Sequence, residues 1–160
     1  MTISVGDKIP SAKVMLATDA GPDQVDAGEF LGSGKVALFS VPGAFTPTCS
    51  AKHLPGFVEK AAEFQAKGVD KIVCMSVNDA FVMDAWGKDQ NAGGKVEMLA
   101  DGNGDFARAL GLAMDGKGFG MGERAQRFSI VIEDGMVKHL NVEEPGAFDV
   151  SSAEHMLGQL

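Results

Sequence analysis

Cys49 is the residue in this chain whose type and position best suit covalent chemistry. It stands where a helix should begin, directly after an apolar run that reads as a buried strand. Thr46 is a preferred N-cap residue and Pro47 a preferred first helical residue, so Cys49 falls in the first turn. Unpaired backbone N–H groups and the positive end of the helix dipole stabilise an anion at that position. The pattern therefore predicts a reactive thiolate.

A thiolate of this kind can attack a weak, polarised bond such as the O–O bond of a peroxide. The sulfur takes one oxygen and becomes a sulfenic acid. The reaction needs a cation and hydrogen-bond donors around the sulfur and the peroxide oxygens. Arg127 is the best cation available, although at the start of a strand it could equally be a surface arginine, as could Arg124. The Thr46 hydroxyl could merely cap the helix, or it could hold the thiolate or a peroxide oxygen.

Two other residues are candidates for a secondary role. His53 lies four residues after Cys49, so a regular helix would bring both side chains onto one face. A cysteine–histidine hydrolase with His53 as general base is thus an alternative, but no Asn or Asp that could orient the histidine is identifiable. Cys74 lies in the middle of a predicted strand. Core packing is favoured there over a role as resolving cysteine, because an apolar interior suppresses thiol reactivity and access.

Alternating strands and helices must position these residues. Strands are predicted over 12–18, 35–41, 71–77, 95–99, 127–132 and 136–141, the last two joined as a hairpin by Glu133-Asp134-Gly135. Helices are predicted over 26–31, from Pro47 to Gly68, over 78–90 with Asn78 as cap, over 105–110, and after a cap at Ser151. Residues 112–125 are glycine-rich and predict a mobile loop. This order predicts one α/β domain over residues 1–160 with a mixed sheet.

Pro55 interrupts the helix that carries Cys49. It has no N–H to donate to the carbonyl of Ala51, so the first turns should be kinked and loosely held. A turn that unwinds at low cost would let the cysteine leave its pocket and meet a partner thiol.

Composition excludes several classes of function. The chain has 160 residues, 45% of them hydrophobic, and a formal net charge of −8, which makes nucleic acid and anionic membranes poor partners. No apolar run approaches the roughly 20 residues of a spanning helix, and the first residues do not resemble a signal peptide. We therefore expect a cytoplasmic protein, in which two cysteines indicate redox chemistry or packing before a disulfide. Neither metal-ligand spacing nor a cofactor-binding motif is present.

The segment from Pro42 to Cys49 resembles the active-site signature of the peroxiredoxins, Pro-x-x-x-Thr-x-x-Cys. The fuller match is to the type II, or peroxiredoxin-five-like, subfamily, and it extends over nearly the whole chain. Further stretches that look like that subfamily are His53-Leu54-Pro55-Gly56-Phe57, Ser76-Val77-Asn78-Asp79 and Arg127-Phe128-Ser129.

The resemblance implies a thioredoxin-like fold, with a central mixed β-sheet flanked by helices. It implies that Cys49 is the peroxidatic cysteine and that Thr46 and Arg127 activate the thiolate and the peroxide. Similar proteins form homodimers through faces near the active site. The remaining implied site residues are Pro42, Gly43 and Thr48 for substrate binding, with Pro42 shielding the pocket, and Phe45 and Phe81 for the dimer interface.

One departure from the subfamily concerns the resolving cysteine that some members carry in the loop before the last helix. Residues 146–152 contain no cysteine here. The sulfenic acid must then be reduced by an external thiol, or less plausibly by Cys74. Glutathione with glutaredoxin is the reductant that the resemblance favours, with thioredoxin next. A non-enzymatic alternative is a redox-responsive binding protein, in which oxidation of Cys49 unwinds its turn and exposes a partner surface.

Overall fold

The computed structural model describes all residues from 1 to 160, in nine strands and six α-helices. The strands are β1 Lys13–Thr18, β2 Gly21–Asp26, β3 Lys35–Ser40, β4 Lys71–Ser76, β5 Glu97–Ala100, β6 Ala113–Asp115, β7 Glu123–Ala125, β8 Phe128–Glu133 and β9 Met136–Val142. The helices are α1 Ala27–Phe30, α2 Leu54–Glu59, α3 Ala61–Ala66, α4 Ala80–Asp89, α5 Asp105–Leu110 and α6 Ala153–Leu157. A π-helical segment, Cys49–His53, precedes α2, and a short 3₁₀ turn, Lys117–Phe119, lies between β6 and β7.

Seven strands form the main sheet, in the order β2-β1-β5-β4-β3-β8-β9. The central strands β3, β4 and β5 are parallel, and the outer strands pair antiparallel. Side chains alternate between the two faces along β3: Leu38 packs in one hydrophobic cluster and Phe39 in the other. The cluster of Phe39 is covered by α2, α3, α4 and α6, and that of Leu38 by α1 and α5. This layered arrangement confirms the predicted α/β class with a mixed sheet.

Two segments differ from the sequence-based expectation. The polar run after β1 does not simply end that strand but turns at residues 19 and 20 into β2, in register from Thr18 opposite Gly21. The glycine-rich residues 112–125 are not an irregular loop, since β6 and β7 pair as a second, two-stranded sheet. None of the three strands β2, β6 and β7 shows the apolar alternation from which strands are recognised, because nearly all of their residues are exposed or only partly buried.

Two helix caps lie one residue later than predicted. Asp79, not Asn78, accepts the hydrogen bond from the backbone N–H of Val82 at 2.9 Å. Ser152, not Ser151, accepts from the backbone N–H of His155 at 3.1 Å. Asn78 and Ser151 are instead free to make contacts at the site described below.

The helices of the structure are all too short, or not apolar enough, to span a lipid bilayer.

Candidate active site

Cys49 lies in a turn whose hydrogen bonding is irregular, as the position of Pro55 predicts. The helix begins at Pro47, and the next segment, from Cys49 to His53, is π-helical. Its wide turn is closed by a hydrogen bond from the backbone N–H of Leu54 to the carbonyl of Cys49. The side chain of Cys49 is fully buried.

The Thr46 hydroxyl does not cap this helix. It donates to the carbonyl oxygen of Gly43 at 2.7 Å, and so braces the loop that leads from β3 into the helix. The backbone carbonyl of Thr46 accepts from the N–H of Ser50 at 2.9 Å, so the helical hydrogen bonding does start where the sequence indicates. A hydroxyl has one proton and two lone pairs, so Thr46 can still accept a further hydrogen bond.

Arg127 reaches the sulfur across the sheet. Its Nη2 donates to Sγ of Cys49 at 2.9 Å, although the two residues are 78 positions apart in the chain. The pairing of β3 with β8 explains the approach, because Ser40 at the end of β3 lies opposite Phe128 at the start of β8. Arg127 precedes β8, and residues 41–46, named here the cysteine loop, follow β3. Both segments therefore leave the sheet at the same end of this strand pair. A half-buried guanidinium thus faces the thiol directly.

His53 contacts Arg127 rather than the sulfur. Its Nδ1 lies 2.8 Å from Nη1 of Arg127, and its Nε2 lies 2.9 Å from the carbonyl oxygen of Ser151. A guanidinium can only donate, so Nδ1 accepts and Nε2 carries the proton. Burial and the charge of Arg127 lower the pKa of His53 to about 3, which keeps the imidazole neutral.

This arrangement argues against the hydrolase alternative. A general base needs a lone pair within reach of the proton it removes and a pKa near the working pH. In His53 the lone pair of Nδ1 is occupied by Arg127, and the depressed pKa makes the ring a poor base. The histidine therefore orients a charged neighbour and does not activate the thiol by proton transfer.

Asn78 and Arg124 also hold the cysteine loop, and sequence reasoning missed both. Oδ1 of Asn78 accepts from the backbone N–H of Ala44 at 2.9 Å and from the hydroxyl of Ser76 at 2.6 Å. Nη1 of Arg124 donates to the carbonyls of Val77 at 3.2 Å and Pro42 at 3.5 Å. A usable signal was the position of Asn78 just after β4, because the carboxyl ends of parallel strands meet at one edge of a sheet.

Gly43 lies beneath this loop without free space around it. A Cβ on Gly43 would lie 3.1 Å from Cγ2 of Thr46, 3.3 Å from Nη1 of Arg124 and 3.4 Å from Cε of Met121. The residue is not among those that line the neighbouring cavity, so its contribution is close packing of the loop.

A cavity of about 780 Å³ opens beside Arg127. Pro42 and Thr48, two of the predicted substrate-binding residues, contribute to its wall. The remaining lining residues come from the β6–β7 region (Met114, Asp115, Phe119), from Gln126, and from residues 143–147. A small molecule in this cavity can contact the guanidinium. No group of three or more His, Cys, Asp or Glu side chains is arranged to hold a metal ion.

Cys74 lies fully buried in β4, opposite Phe39 and Met98 in the ladders, and neither cysteine forms a disulfide. Burial, together with the nearby Cys49, raises the pKa of the Cys74 thiol well above its ordinary value, although the charge of Arg127 opposes the shift. A thiol of this kind is unreactive, and core packing accounts for its position.

Phe45 and Phe81 are both at the surface. They are 53% and 73% exposed, respectively. The ring of Phe45 packs against Trp86, with the ring centroids 6.4 Å apart, and Trp86 and Phe81 belong to the same helix, α4. Phe45 thus belongs to the loop that carries Cys49 and contacts α4, the helix that also bears Phe81.

Comparisons with known proteins identify the family of the chain. The Redoxin family model matches residues 4–157. Peroxiredoxin-2E-2, a chloroplastic protein of Oryza sativa, is 52% identical over 164 residues, covering 99% of this chain and 73% of that protein. Peroxiredoxin-2B of Arabidopsis thaliana is 48% identical over 159 residues, covering 99% of this chain and 98% of its own length.

Solved structures agree on the fold as well. The structure of reduced Prx3 from Vibrio vulnificus in complex with H₂O₂ is 49% identical, with a TM-score of 0.94 and 99% coverage of both chains. The predicted thioredoxin-like fold and the resemblance of the chain to the type II peroxiredoxins are thereby confirmed. The chain belongs to the Redoxin family and, within it, to the type II peroxiredoxins, which are thiol-dependent peroxidases.

Proposed function

We propose that this peroxiredoxin reduces hydrogen peroxide and small organic hydroperoxides with Cys49 as the peroxidatic residue, assisted by Thr46 and Arg127. The observation that carries the proposal is the 2.9 Å contact between Nη2 of Arg127 and Sγ of Cys49. A guanidinium stays charged at all physiological pH values, so at this distance it stabilises a thiolate relative to a thiol. The Vibrio vulnificus relative, which was solved with H₂O₂, supports a peroxide as substrate.

In the first step the Cys49 thiolate attacks one peroxide oxygen. A sulfur–oxygen bond forms, the O–O bond breaks, and the second oxygen leaves with the electron pair as hydroxide or alkoxide. That oxygen takes up a proton and becomes water or an alcohol, while the sulfur is oxidised to a sulfenic acid. Arg127 offsets the charge on both reacting groups, and the free lone pairs of the Thr46 hydroxyl can accept a hydrogen bond from the peroxide.

The second step uses an external thiol in this proposal. The thiol attacks the sulfenic sulfur, a disulfide bond forms and water leaves; a second thiol then attacks that disulfide and releases the Cys49 thiolate. The absence of a cysteine from residues 146–152 and the burial of Cys74 support an external donor. Glutathione with glutaredoxin is the donor we favour, with thioredoxin next.

Coupled assays test the proposal. Purified protein is mixed with peroxide and NADPH, coupled separately to glutathione with glutaredoxin and glutathione reductase, and to thioredoxin with its reductase. We expect turnover in the first system to exceed that in the second, and Cys49→Ser to abolish both. Substantial peroxide turnover by folded Cys49→Ser protein would reject the assignment of the peroxidatic residue. Mass analysis after oxidation without thiol shows whether the sulfur stops at sulfenic acid.

A redox-responsive binding protein is the second candidate. The full burial of Cys49 in a π-helical turn is the observation behind it, because an oxidation that opens this turn exposes surface that the folded state covers. The rate of Cys49 oxidation discriminates the two candidates. A rate comparable to that of free cysteine would favour the binding protein over a peroxidase that turns over rapidly.

We also propose that the chain works as a single unit, residues 1–160, within a homodimer. The exposure of Phe45, in the loop before the helix of Cys49, and of Phe81, on α4, supports an apolar interface that includes these two elements. A cytoplasmic location stays a prediction. Two unpaired cysteines fit a reducing compartment, while the Oryza sativa relative is chloroplastic. Fractionation of the native cells with an antibody to the protein would test the location.

A further inference from the structure

The segment from Glu143 to Ser151, named here the C-terminal loop, folds around a single carboxylate oxygen. Oε2 of Glu143 accepts three hydrogen bonds: from the backbone N–H of Asp149 at 2.7 Å, from the backbone N–H of Ser151 at 2.8 Å and from the Ser151 hydroxyl at 2.7 Å. Glu143 is only 7% exposed. The side chain thus closes the loop on itself and fixes where Ser151 lies.

The same glutamate is anchored beside Arg127. The pairing of β8 with β9 continues one step past the strands, and the backbone N–H of Glu143 donates to the carbonyl of Arg127 at 3.0 Å. Burial by itself would raise the pKa of Glu143, but the hydrogen bonds from Ser151 and Asp149 outweigh it and leave the pKa below its usual value. At neutral pH the carboxylate of Glu143 is therefore charged, and the hydrogen bonds that its Oε2 accepts all come from this loop.

From the C-terminal loop a chain of contacts leads to the sulfur. The carbonyl of Ser151 accepts from Nε2 of His53 at 2.9 Å, and Nδ1 of His53 accepts from Nη1 of Arg127 at 2.8 Å. The ring of Phe148 packs on both, with its centroid 5.0 Å from that of His53 and 5.9 Å from Cζ of Arg127. Nη1 of Arg127 has no other partner within hydrogen-bond distance, so His53 alone holds this end of the guanidinium.

We infer that Glu143 is a positioning residue for the peroxidase reaction, which acts through Ser151 and His53 to hold Nη2 of Arg127 on the sulfur of Cys49. The inference rests on the proposed role of Arg127. The arginine side chain is long and flexible, so its guanidinium stabilises the sulfur fully only when both Nη1 and Nη2 are held in place. A displacement of about 1 Å in a group that positions a reaction can lower its rate by up to about a hundredfold. Release of the C-terminal loop therefore weakens the stabilisation of the thiolate and of the departing oxygen.

Two substitutions at Glu143 separate the hydrogen bonds from the charge. Glu143→Ala removes the acceptor for all three bonds, whereas Glu143→Gln keeps an oxygen that can occupy the position of Oε2. We expect Glu143→Ala to lower the second-order rate constant for oxidation of Cys49 by H₂O₂ about tenfold. We expect Glu143→Gln to stay within about twofold of the parent. Glu154→Ala, at an exposed glutamate on α6, controls for the loss of a negative charge.

A double-mutant cycle with His53→Asn tests the route of the effect. Asn can place its Oδ1 near the position of Nδ1 and so still accept from Arg127, but it cannot reach the carbonyl of Ser151. Because the link to the loop is already cut in His53→Asn, adding Glu143→Ala should change its rate constant by less than about twofold. A purely structural effect of Glu143 would instead lower the rate by the same factor in both backgrounds, and that result overturns the inference.

Further measurements keep the test decisive. A parent-like rate constant for folded Glu143→Ala also overturns the inference. Should Glu143→Ala fail to fold, Ser151→Ala removes one of the three bonds to the same oxygen, and its effect must be smaller in His53→Asn than in the parent. Arg127→Gln separates the two proposals: if it oxidises as fast as the parent, the proposed function of Arg127 fails, whereas a slow Arg127→Gln beside a fast Glu143→Ala overturns the role of Glu143 alone.

Discussion

Arg127 joins Cys49 and His53 through the two ends of one guanidinium, with Nη2 2.9 Å from Sγ of the cysteine and Nη1 2.8 Å from Nδ1 of the histidine. The cation thus has one neighbour that gains from its charge and another that must remain uncharged. A protonated histidine at this position would repel the guanidinium and remove its acceptor. The site combines a thiol in direct contact with a guanidinium and an imidazole that stays neutral.

Replacing Arg127 by Gln tests the first half of this relationship. Loss of the cation should lower the rate constant for peroxide oxidation of Cys49 by about a hundredfold or more, a factor typical of removing one charge-stabilising group. Single-turnover oxidation, followed by the loss of the free thiol, measures it directly. Arg108→Gln is the matched control, because Arg108 pairs with Asp105 and Glu123 at the surface. Cys49 in this variant should be oxidised at the parent rate. Equal rates in the two variants would contradict the role of Arg127.

The neutral state of His53 predicts how stability depends on pH. The pKa of His53 is about 3 in the folded protein and near 6.5 when unfolded, so between these values the unfolded chain binds more protons. The free energy of unfolding should thus be fully retained above pH 6.5 and fall by up to about 1.4 kcal/mol per pH unit as the pH drops toward 3. Denaturant unfolding at several pH values between 6.5 and 5, where carboxylates contribute little, measures the slope.

Two histidine variants show whether His53 or another group causes this dependence of the free energy of unfolding on pH. His53→Gln should lose most of it, because no group with a strongly depressed pKa remains at that position. His155→Gln, at an exposed histidine on α6, should keep the parent slope. An unchanged slope in His53→Gln would mean that another group carries the acid sensitivity.

Cys74→Ala should leave peroxidase turnover with glutathione and glutaredoxin within about twofold of the parent. The thiol is fully buried among apolar side chains, and its raised pKa keeps it protonated. Substitution should cost stability instead, about 1 kcal/mol for the lost sulfur contacts, which thermal unfolding would record. Loss of turnover in a folded Cys74→Ala protein would identify Cys74 as a resolving cysteine and show that its burial is relieved during the cycle.

Phe81→Asp should weaken the proposed homodimer. A carboxylate in an apolar interface must be desolvated without a partner, so we expect the dimer dissociation constant to rise at least about tenfold. Sedimentation velocity over a range of concentrations measures it. Val5→Asp introduces the same charge at another exposed apolar residue, 62% exposed, and should not change the association. A parent that stays monomeric at high concentration would reject the dimer itself.

The sequence was most informative where local rules decide the structure. The buried strand before the cysteine, the helix start at Pro47 and the disturbance caused by Pro55 all follow from short-range patterns, and the structure has each of them. The contact between Arg127 and Cys49 could not be predicted from such patterns. It depends on the antiparallel register of β8 against β3, and only the family resemblance pointed to it.

Residues that position others were the hardest to recognise. Asn78 looks like a helix cap because it stands before a helical stretch, but its amide serves the neighbouring loop and Asp79 caps instead. Glu143 follows the last strand and looks like a solvated residue, yet it is buried by a loop that folds back over it. In both cases the role depends on contacts with other segments of the chain, and the residues next to Asn78 and Glu143 in the sequence do not indicate those contacts.

The π-helical turn after Cys49 has a consequence for the direction of the sulfur. A π-turn holds one residue more than an α-turn, so relaxation to α geometry would rotate Cys49 by roughly 100° about the helix axis relative to α2. That rotation would carry the thiol away from the guanidinium without breaking any covalent bond. The proposed reactivity of Cys49 therefore depends on a single surplus residue of helical register. A one-residue deletion within 50–52, which leaves His53 in place, should abolish the oxidation of Cys49 by peroxide while the fold persists.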